Sequence, residues 1–301
     1  MAFSLWRELL SFWLFFKLLF VQLAPWFAFG IVIGSAVSVF AKGEIAAALE
    51  RLGEGRGGSF AIPIASALGI LSPLCMYGTI PIAASLSRKG MRDDWLAAFM
   101  TSSVLLNPQL IAYSAALGPR LLFLRSLFSL VCGLCAGLLV RLFFRDTSFF
   151  CFDAFAEPEG RDTDPDITLR FAKNIGRNLR ATAPGLIIGI SLAALFQLYV
   201  PAEGFARLFG SKWRLGVIIA ASMGIPLYAC GGGAIPLLAE WLANGMSEGA
   251  ALSFMISGPA TKITNLGALK IVLGSRHFCF YIAYIMLFAV LAGVLTDLFM
   301  S

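Results

Sequence analysis

The chain has 301 residues, of which 59% are hydrophobic and 13% charged, and its mean hydropathy is +0.84; soluble domains carry about twice that share of charge. Such a composition excludes a surface solvated by water all round, and apolar runs of membrane-spanning length recur from end to end. The net charge of +6 does not point to nucleic acid, because no basic face with interleaved aromatics exists and membrane proteins collect Lys and Arg in their inner loops.

In chain order, residues 1–20 are apolar but hold Arg7, Glu8 and Lys17 and lack a small-residue cleavage site, so they read as retained rather than as a signal peptide. A first span covers 18–41. Segment 60–87 is too long for one straight span and too interrupted for two. It breaks between Ser72 and Pro81, with Cys75, Met76, Tyr77 and Gly78 inside the break. The span at 95–117 breaks again at 101–109, where Asn107 precedes Pro108. A span at 121–144 follows. Its Cys132 and Cys135 have CxxC spacing but sit among Leu, Val and Gly, and read as small packing residues.

Residues 146–180 form the long polar stretch. Glu157, Glu159, Asp162, Asp164 and Asp166 come first, then Arg170, Lys173, Arg177 and Arg180. The acidic part reads as a linker and the basic part as a surface-lying amphipathic helix, on the cytoplasmic side. Spans at 181–200, 249–273 and 277–299 complete the chain. Segment 215–242 breaks between Pro226 and Pro236 around Cys230, Gly231, Gly232 and Gly233, and the span after it breaks at Ser257, Thr261 and Lys262. The domain reading is a first membrane repeat at 1–145, a linker with its helix at 146–180, and a second membrane repeat at 181–301.

The repeat emerges when the chain is slid on itself by 155 positions. Thirteen residues between Ala65 and Ser102 then fall on identical ones, among them Gly69, Cys75, Gly78, Pro81, Gly90 and Met91 on Gly224, Cys230, Gly233, Pro236, Gly245 and Met246. Chance would give roughly three or four. Ala24, Pro25 and Gly30 echo Ala183, Pro184 and Gly189. The loop after the first copy is basic, with Arg88, Lys89 and Arg92, whereas the second has Asn244, Ser247 and Glu248. Positive charge marks the inner face, so the two repeats read as inverted. Arg207, Lys212 and Arg214 pull against that reading. The expected fold is all-α: a polytopic membrane protein with two inverted repeats, each of about three spanning helices plus a re-entrant broken hairpin.

Broken helices leave backbone amides unpaired at membrane depth, which is tolerated only where protein or a wet cavity covers them. The candidate solute path is therefore Cys75, Met76, Tyr77, Gly78, Pro81 and Asn107 from the first repeat. The second contributes Cys230, Gly231, Gly232, Gly233, Pro236, Ser257, Thr261 and Lys262. Each hairpin's second helix is expected to start near Pro81 or Pro236. Lys262 is the sharpest candidate. An ammonium in mid-membrane costs on the order of 3 kcal/mol, so it needs a partner, an anionic solute or a coupling proton. Cys75, Met76 and Cys230 would supply soft sulfur. Glu240 is a weak candidate for proton coupling, and His277 reads as interfacial.

The stretch Pro73-Leu74-Cys75-Met76-Tyr77-Gly78-Thr79-Ile80-Pro81, together with Cys230-Gly231-Gly232-Gly233-Ala234-Ile235-Pro236 and Ser257-Gly258-Pro259-Ala260-Thr261-Lys262, resembles the ArsP-type permease family. The resemblance covers both repeats. It implies a multi-spanning permease, some of whose relatives export trivalent arsenicals through paired thiols. Cys75 fits the first thiol of the family's Cys-x-Cys, but Tyr77 stands at the second, a departure that touches the arsenical assignment and not the permease one.

The functional expectation is a permease of the cytoplasmic membrane, moving a small solute through a midplane site between the repeats, with trivalent arsenicals as one substrate class. The alternative is a channel-like facilitator for a small anion or neutral molecule; a non-transport membrane protein comes third. No metal cluster, Walker loop or nucleophile–base pair is legible, so neither enzyme activity nor a cofactor or metal is expected. The partners expected are membrane lipid and the solute, with homo-oligomerisation left open.

Overall fold

A computed structural model describes residues 2–36, 61–72, 76–88, 90–144, 148–152, 166–199, 214–228 and 231–300, with Phe209 and a few positions between 39 and 48. Every regular element among the described residues is helical. The first half holds α1 (Ala2–Ala36), α2 (Ala61–Leu71), α3 (Met76–Arg88), α4 (Asp93–Leu105), α5 (Pro108–Ser114) with a 3₁₀ turn, and α6 (Pro119–Phe143). The second holds α7 (Ile167–Tyr199), α8 (Arg214–Leu227), α9 (Gly231–Ala243), α10 (Glu248–Thr261) and α11 (Ile263–Met300). Non-helical Gly274 (φ 66°) divides α11 in two.

Local chemistry sets these limits, and it does so twice at the same offset. α3 ends at Gly90 (φ 86°), where the Met91 amide donates to the Leu86 carbonyl. α9 ends at Gly245 (φ 95°), where the Met246 amide donates to the Trp241 carbonyl. Both are left-handed glycine stops that close the last turn. α4 ends because Leu106 and Asn107 are extended before Pro108, which has no amide proton to donate and supplies the first residue of α5. α10 ends as Lys262 turns extended (φ −59°, ψ 140°). Pro25 and Pro184 lie inside the long helices α1 and α7, which pack on each other.

The segments expected to be interrupted are each two short helices. α2, with 11 residues, is about 16 Å long, and the 13 residues of α3 reach about 20 Å. Neither crosses a hydrocarbon core of about 30 Å. The second helix of each pair begins earlier than expected, at Met76 and Gly231, leaving Pro81 and Pro236 inside α3 and α9. A proline in the second turn forfeits one hydrogen bond just beyond the amides that every helix start leaves unpaired. The basic helix and the span after the linker are one continuous helix, α7, so position 180 falls inside it.

Among the described residues, three stretches are long and apolar enough to cross a membrane: Asp93–Leu117, Pro119–Phe143 and Leu269–Phe299. The first is the most enclosed and the last the most open. α4 packs on α2, α3 and α6; α10 packs on α8 and α11, and also touches α4 and α6. Outside this core, Trp6, Leu9, Trp13 and Leu18 on α1 and Phe143 on α6 are more than half exposed. An apolar face of this extent suits lipid rather than water.

Close helix packing repeats in three dimensions. A Cβ on Gly69 would lie 2.5 Å from the Phe99 carbonyl and 3.0 Å from Ser102, and one on Gly224 would meet the corresponding Ser257 and Gly258. On α6, a Cβ at Gly137 would meet the Asp94 carbonyl, Ile62 and Ala98. On α11, one at Gly293 would meet the Gly249 carbonyl, Val217 and Ser253, the counterparts of those three. Bare glycine backbones let the third helix of each unit lie against the other two.

Candidate solute path at the helix breaks

The two breaks carry different chemistry. Asn107 is 8% exposed, and its Oδ1 accepts from the Leu110 amide at 2.9 Å, so it caps α5. Its counterpart Lys262 is half-buried at the end of α10, and its ammonium has no hydrogen-bond or ion-pair partner among the described residues. Asn265 holds that break instead: its Nδ2 donates to the Pro259 carbonyl at 3.2 Å and its amide to the Lys262 carbonyl at 2.9 Å.

Ser257 and Thr261 are fully buried, and each hydroxyl donates within its own helix, Thr261 to the Ser257 carbonyl at 2.7 Å and Ser257 to the Phe254 carbonyl at 3.4 Å. Such back-bonding satisfies a hydroxyl where water is absent. Gly231, Gly232 and Gly233 form the first turn of α9, and Pro236 is buried within it. Cys75 and Cys230 lie outside the described residues, as do the side chains of Met76, Tyr77 and Pro81; Met76, Tyr77 and Gly78 begin α3.

In the first repeat a hydroxyl cluster ties the broken segment to its neighbours. Ser66 and Ser102 share a hydrogen bond of 2.6 Å, Ser66 reaches the Leu130 carbonyl at 3.1 Å, and Thr79 pairs with Ser103 at 3.1 Å. The second repeat has Ala221, Ala234 and Gly258 at three of these places, and the Tyr228 ring lies over Gly258. Glu240 is buried and accepts from Asn244 Nδ2 at 2.7 Å.

Two residues at the breaks escape the sequence reading. Arg125, on α6, is 1% exposed; its guanidinium donates to Ser114 Oγ at 2.5 Å, to the Leu105 carbonyl at 3.5 Å and toward Met255 Sδ at 3.7 Å. Tyr281 on α11 is its structural counterpart, and its hydroxyl donates to the Ala260 carbonyl at 3.4 Å. Leu105 and Ala260 correspond at the 155 offset. Each unit thus sets a polar side chain of its third helix against the carbonyl left over where its broken helix stops. An arginine inside the apolar run 121–144 was the available signal.

An apolar cavity lies between α4, α6 and α11, with Met100, Thr101, Ala136, Tyr281 and Tyr284 in its wall. Phe149 and Phe150 separate it from a more polar vestibule lined by Arg88, Ser148, Cys151 and His277. The intervening strip is pinned by its backbone. The Phe149 amide donates to Asp93 Oδ2 at 2.6 Å and the Cys151 amide to the Val272 carbonyl at 2.7 Å; His277 Nδ1 lies 3.0 Å from the Phe149 carbonyl. Cys132 is buried beneath Tyr284, whose hydroxyl donates to the Cys132 carbonyl, and Cys132 and Cys135 are both free thiols.

Apolar helices of membrane-crossing length, packed around helix breaks and a buried polar seam, mark an integral membrane protein. Residues 8–298 match the model of the ArsP_1 family, described as a predicted permease, and the chain belongs to that family. It is similar to the UPF0718 protein YcgR of Bacillus subtilis (strain 168), 25% identical over 91% of this chain and 92% of that one. A second relative, the UPF0718 protein MJ0584 of Methanocaldococcus jannaschii, is 23% identical over 40% of this chain and 33% of its own length. No solved structure matches.

Proposed function

We propose that the protein moves a small solute across the cytoplasmic membrane by alternating access, through a midplane site between two inverted repeats. The observation that carries this is the pair of breaks at matched positions, Asn107 in one and Lys262 in the other, each about 20 Å of helix from the start of its span. Unwound backbone at that depth is how secondary transporters build solute sites.

Contacts between helix ends support the inversion. Arg120, at the start of α6, is 3.4 Å from Glu248 at the start of α10, and Asp297 near the end of α11 accepts from Ser247 and Gly249. Asp93, at the start of α4, accepts instead from Phe149 just beyond the other end of α6. With α6 crossing the membrane, the starts of α4 and α10 fall on opposite faces. α2 with α3, and α8 with α9, are then the two re-entrant hairpins, and the chain is multi-pass with the basic 88–92 loop inside. The aromatic strip between vestibule and cavity favours a gated carrier over an open channel.

Arsenical export is the substrate reading that rests on Cys75 and Cys230. It is tested by intracellular arsenic in an efflux-deficient bacterial host given arsenite or methylarsenite. That reading requires lower accumulation with the wild type, lost in Cys75→Ser, Cys230→Ser and Lys262→Ala; an unchanged level in the wild type removes arsenicals from the substrate list. Thiol labelling of single cysteines at 90 and 246 from each side tests the inversion, which fails when both label from the same face.

A further inference from the structure

Guanidinium groups keep their charge in proteins, so a buried one is normally met by a carboxylate. Arg125 is not. Its partners are a serine hydroxyl, a carbonyl at the limit of hydrogen bonding and a thioether, and its Nε is buried without a hydrogen-bond partner among the described residues. Glu248, at the start of α10, is engaged by Arg120. One turn further on the same face of α6, the Ser129 hydroxyl is also buried, at 1% exposure, and also lacks a partner. Residues four apart on a helix share a face, so two unused donors, one of them cationic, lie one turn apart on α6.

Their setting is the seam between repeats. Arg125 spans from the last carbonyl of the broken α4 to Met255 on α10, so any rocking of one repeat against the other changes what surrounds the guanidinium. At the second break Lys262 is a second cation with no carboxylate partner among the described residues. A core holding two such cations favours a negatively charged solute over a neutral or cationic one.

We propose that Arg125 and Ser129 bind the charged end of a small oxyanion or carboxylate during transport. Arg125 Nε and a terminal nitrogen would grip two solute oxygens as a fork, and the Ser129 hydroxyl would donate to one of them. This rests on the permease reading and adds charge recognition to it.

The test uses the full-length protein purified in detergent and measures its melting temperature against formate, sulfate and phosphate, with chloride at equal ionic strength as reference. Saturable stabilisation by one of these anions is expected. Arg125→Gln, which keeps donors but loses charge, should weaken that binding on the order of 30-fold or more. Arg125→Lys should weaken it less, and Ser129→Ala should weaken it without lowering the melting temperature of the anion-free protein. No stabilisation beyond chloride, or an effect retained in Arg125→Gln, overturns the proposal. Flux into proteoliposomes is read separately. Flux without anion stabilisation overturns this inference and leaves the permease reading standing; anion binding lost in Arg125→Gln without flux of that anion supports the binding site and overturns its part in transport.

Discussion

Replacing Gly137 or Gly293 with alanine should destabilise the protein by similar amounts, because the two glycines occupy equivalent places against equivalent neighbours. A Cβ at Gly137 would lie 2.8 Å from both the Asp94 carbonyl and Ile62 Cγ2, and one at Gly293 would lie 2.5 Å from Val217 Cγ1 and 2.6 Å from the Gly249 carbonyl. Backbone carbonyls cannot rotate away as a long side chain can. The helices must part by several tenths of an ångström, and overpacking of this kind costs about 1–3 kcal/mol. Alanine returns about 1 kcal/mol through helix propensity, leaving a net loss of up to about 2 kcal/mol. Gly176 on α7 is the control, since a Cβ there meets nothing within 4 Å; Gly176→Ala should be neutral or stabilising. Thermal unfolding in detergent, followed by circular dichroism, reads all three. Gly137→Ala and Gly293→Ala variants that melt with the wild type would refute the argument that bare backbone contact holds the third helix of each repeat.

Asp297→Ala should cost about 1–3 kcal/mol and unwind the first turn of α10, because its carboxylate accepts from Ser247 Oγ at 2.9 Å and from the Gly249 amide at 2.9 Å; faster proteolysis near 244–249 is the readout. Phe150→Ala should open the apolar cavity to the vestibule, so that a cysteine at Thr101 in a background without Cys151 reacts with a membrane-impermeant thiol reagent several-fold faster than when Phe150 is present. Equal rates would show that the aromatic strip is not the barrier.

The places where this chain must stop being helical were legible without coordinates. Proline removes a donor and glycine admits positive φ whatever surrounds them, so the breaks before Pro108 and around Lys262, and the stops at Gly90 and Gly245, follow from residues adjacent in the chain. Two helices nevertheless start earlier than their prolines suggested, because a second-turn proline sacrifices only one bond. Repetition was equally legible, since two copies drifting apart keep the glycines on which the close contacts of Gly69 and Gly224 depend.

What a side chain does at a break was decided only by tertiary structure. Asn107 and Lys262 align in sequence, yet one folds back as a cap while the other remains without a partner among the described residues. Ser257 and Thr261 spend their hydroxyls on their own helix, whereas Ser66, Ser102, Thr79 and Ser103 pair between helices. Arg125 looks in sequence like one more basic residue between Arg120 and Arg141; burial against Leu105 and Met255 sets it apart. The sequence by itself determined the lipid-solvated class, the twofold repetition and the points of fracture, because these arise from composition and from short-range backbone sterics. Tertiary structure decided which polar groups face one another across those fractures, because hydrogen bonds and desolvation depend on neighbours that lie 20 to 152 residues away along the chain.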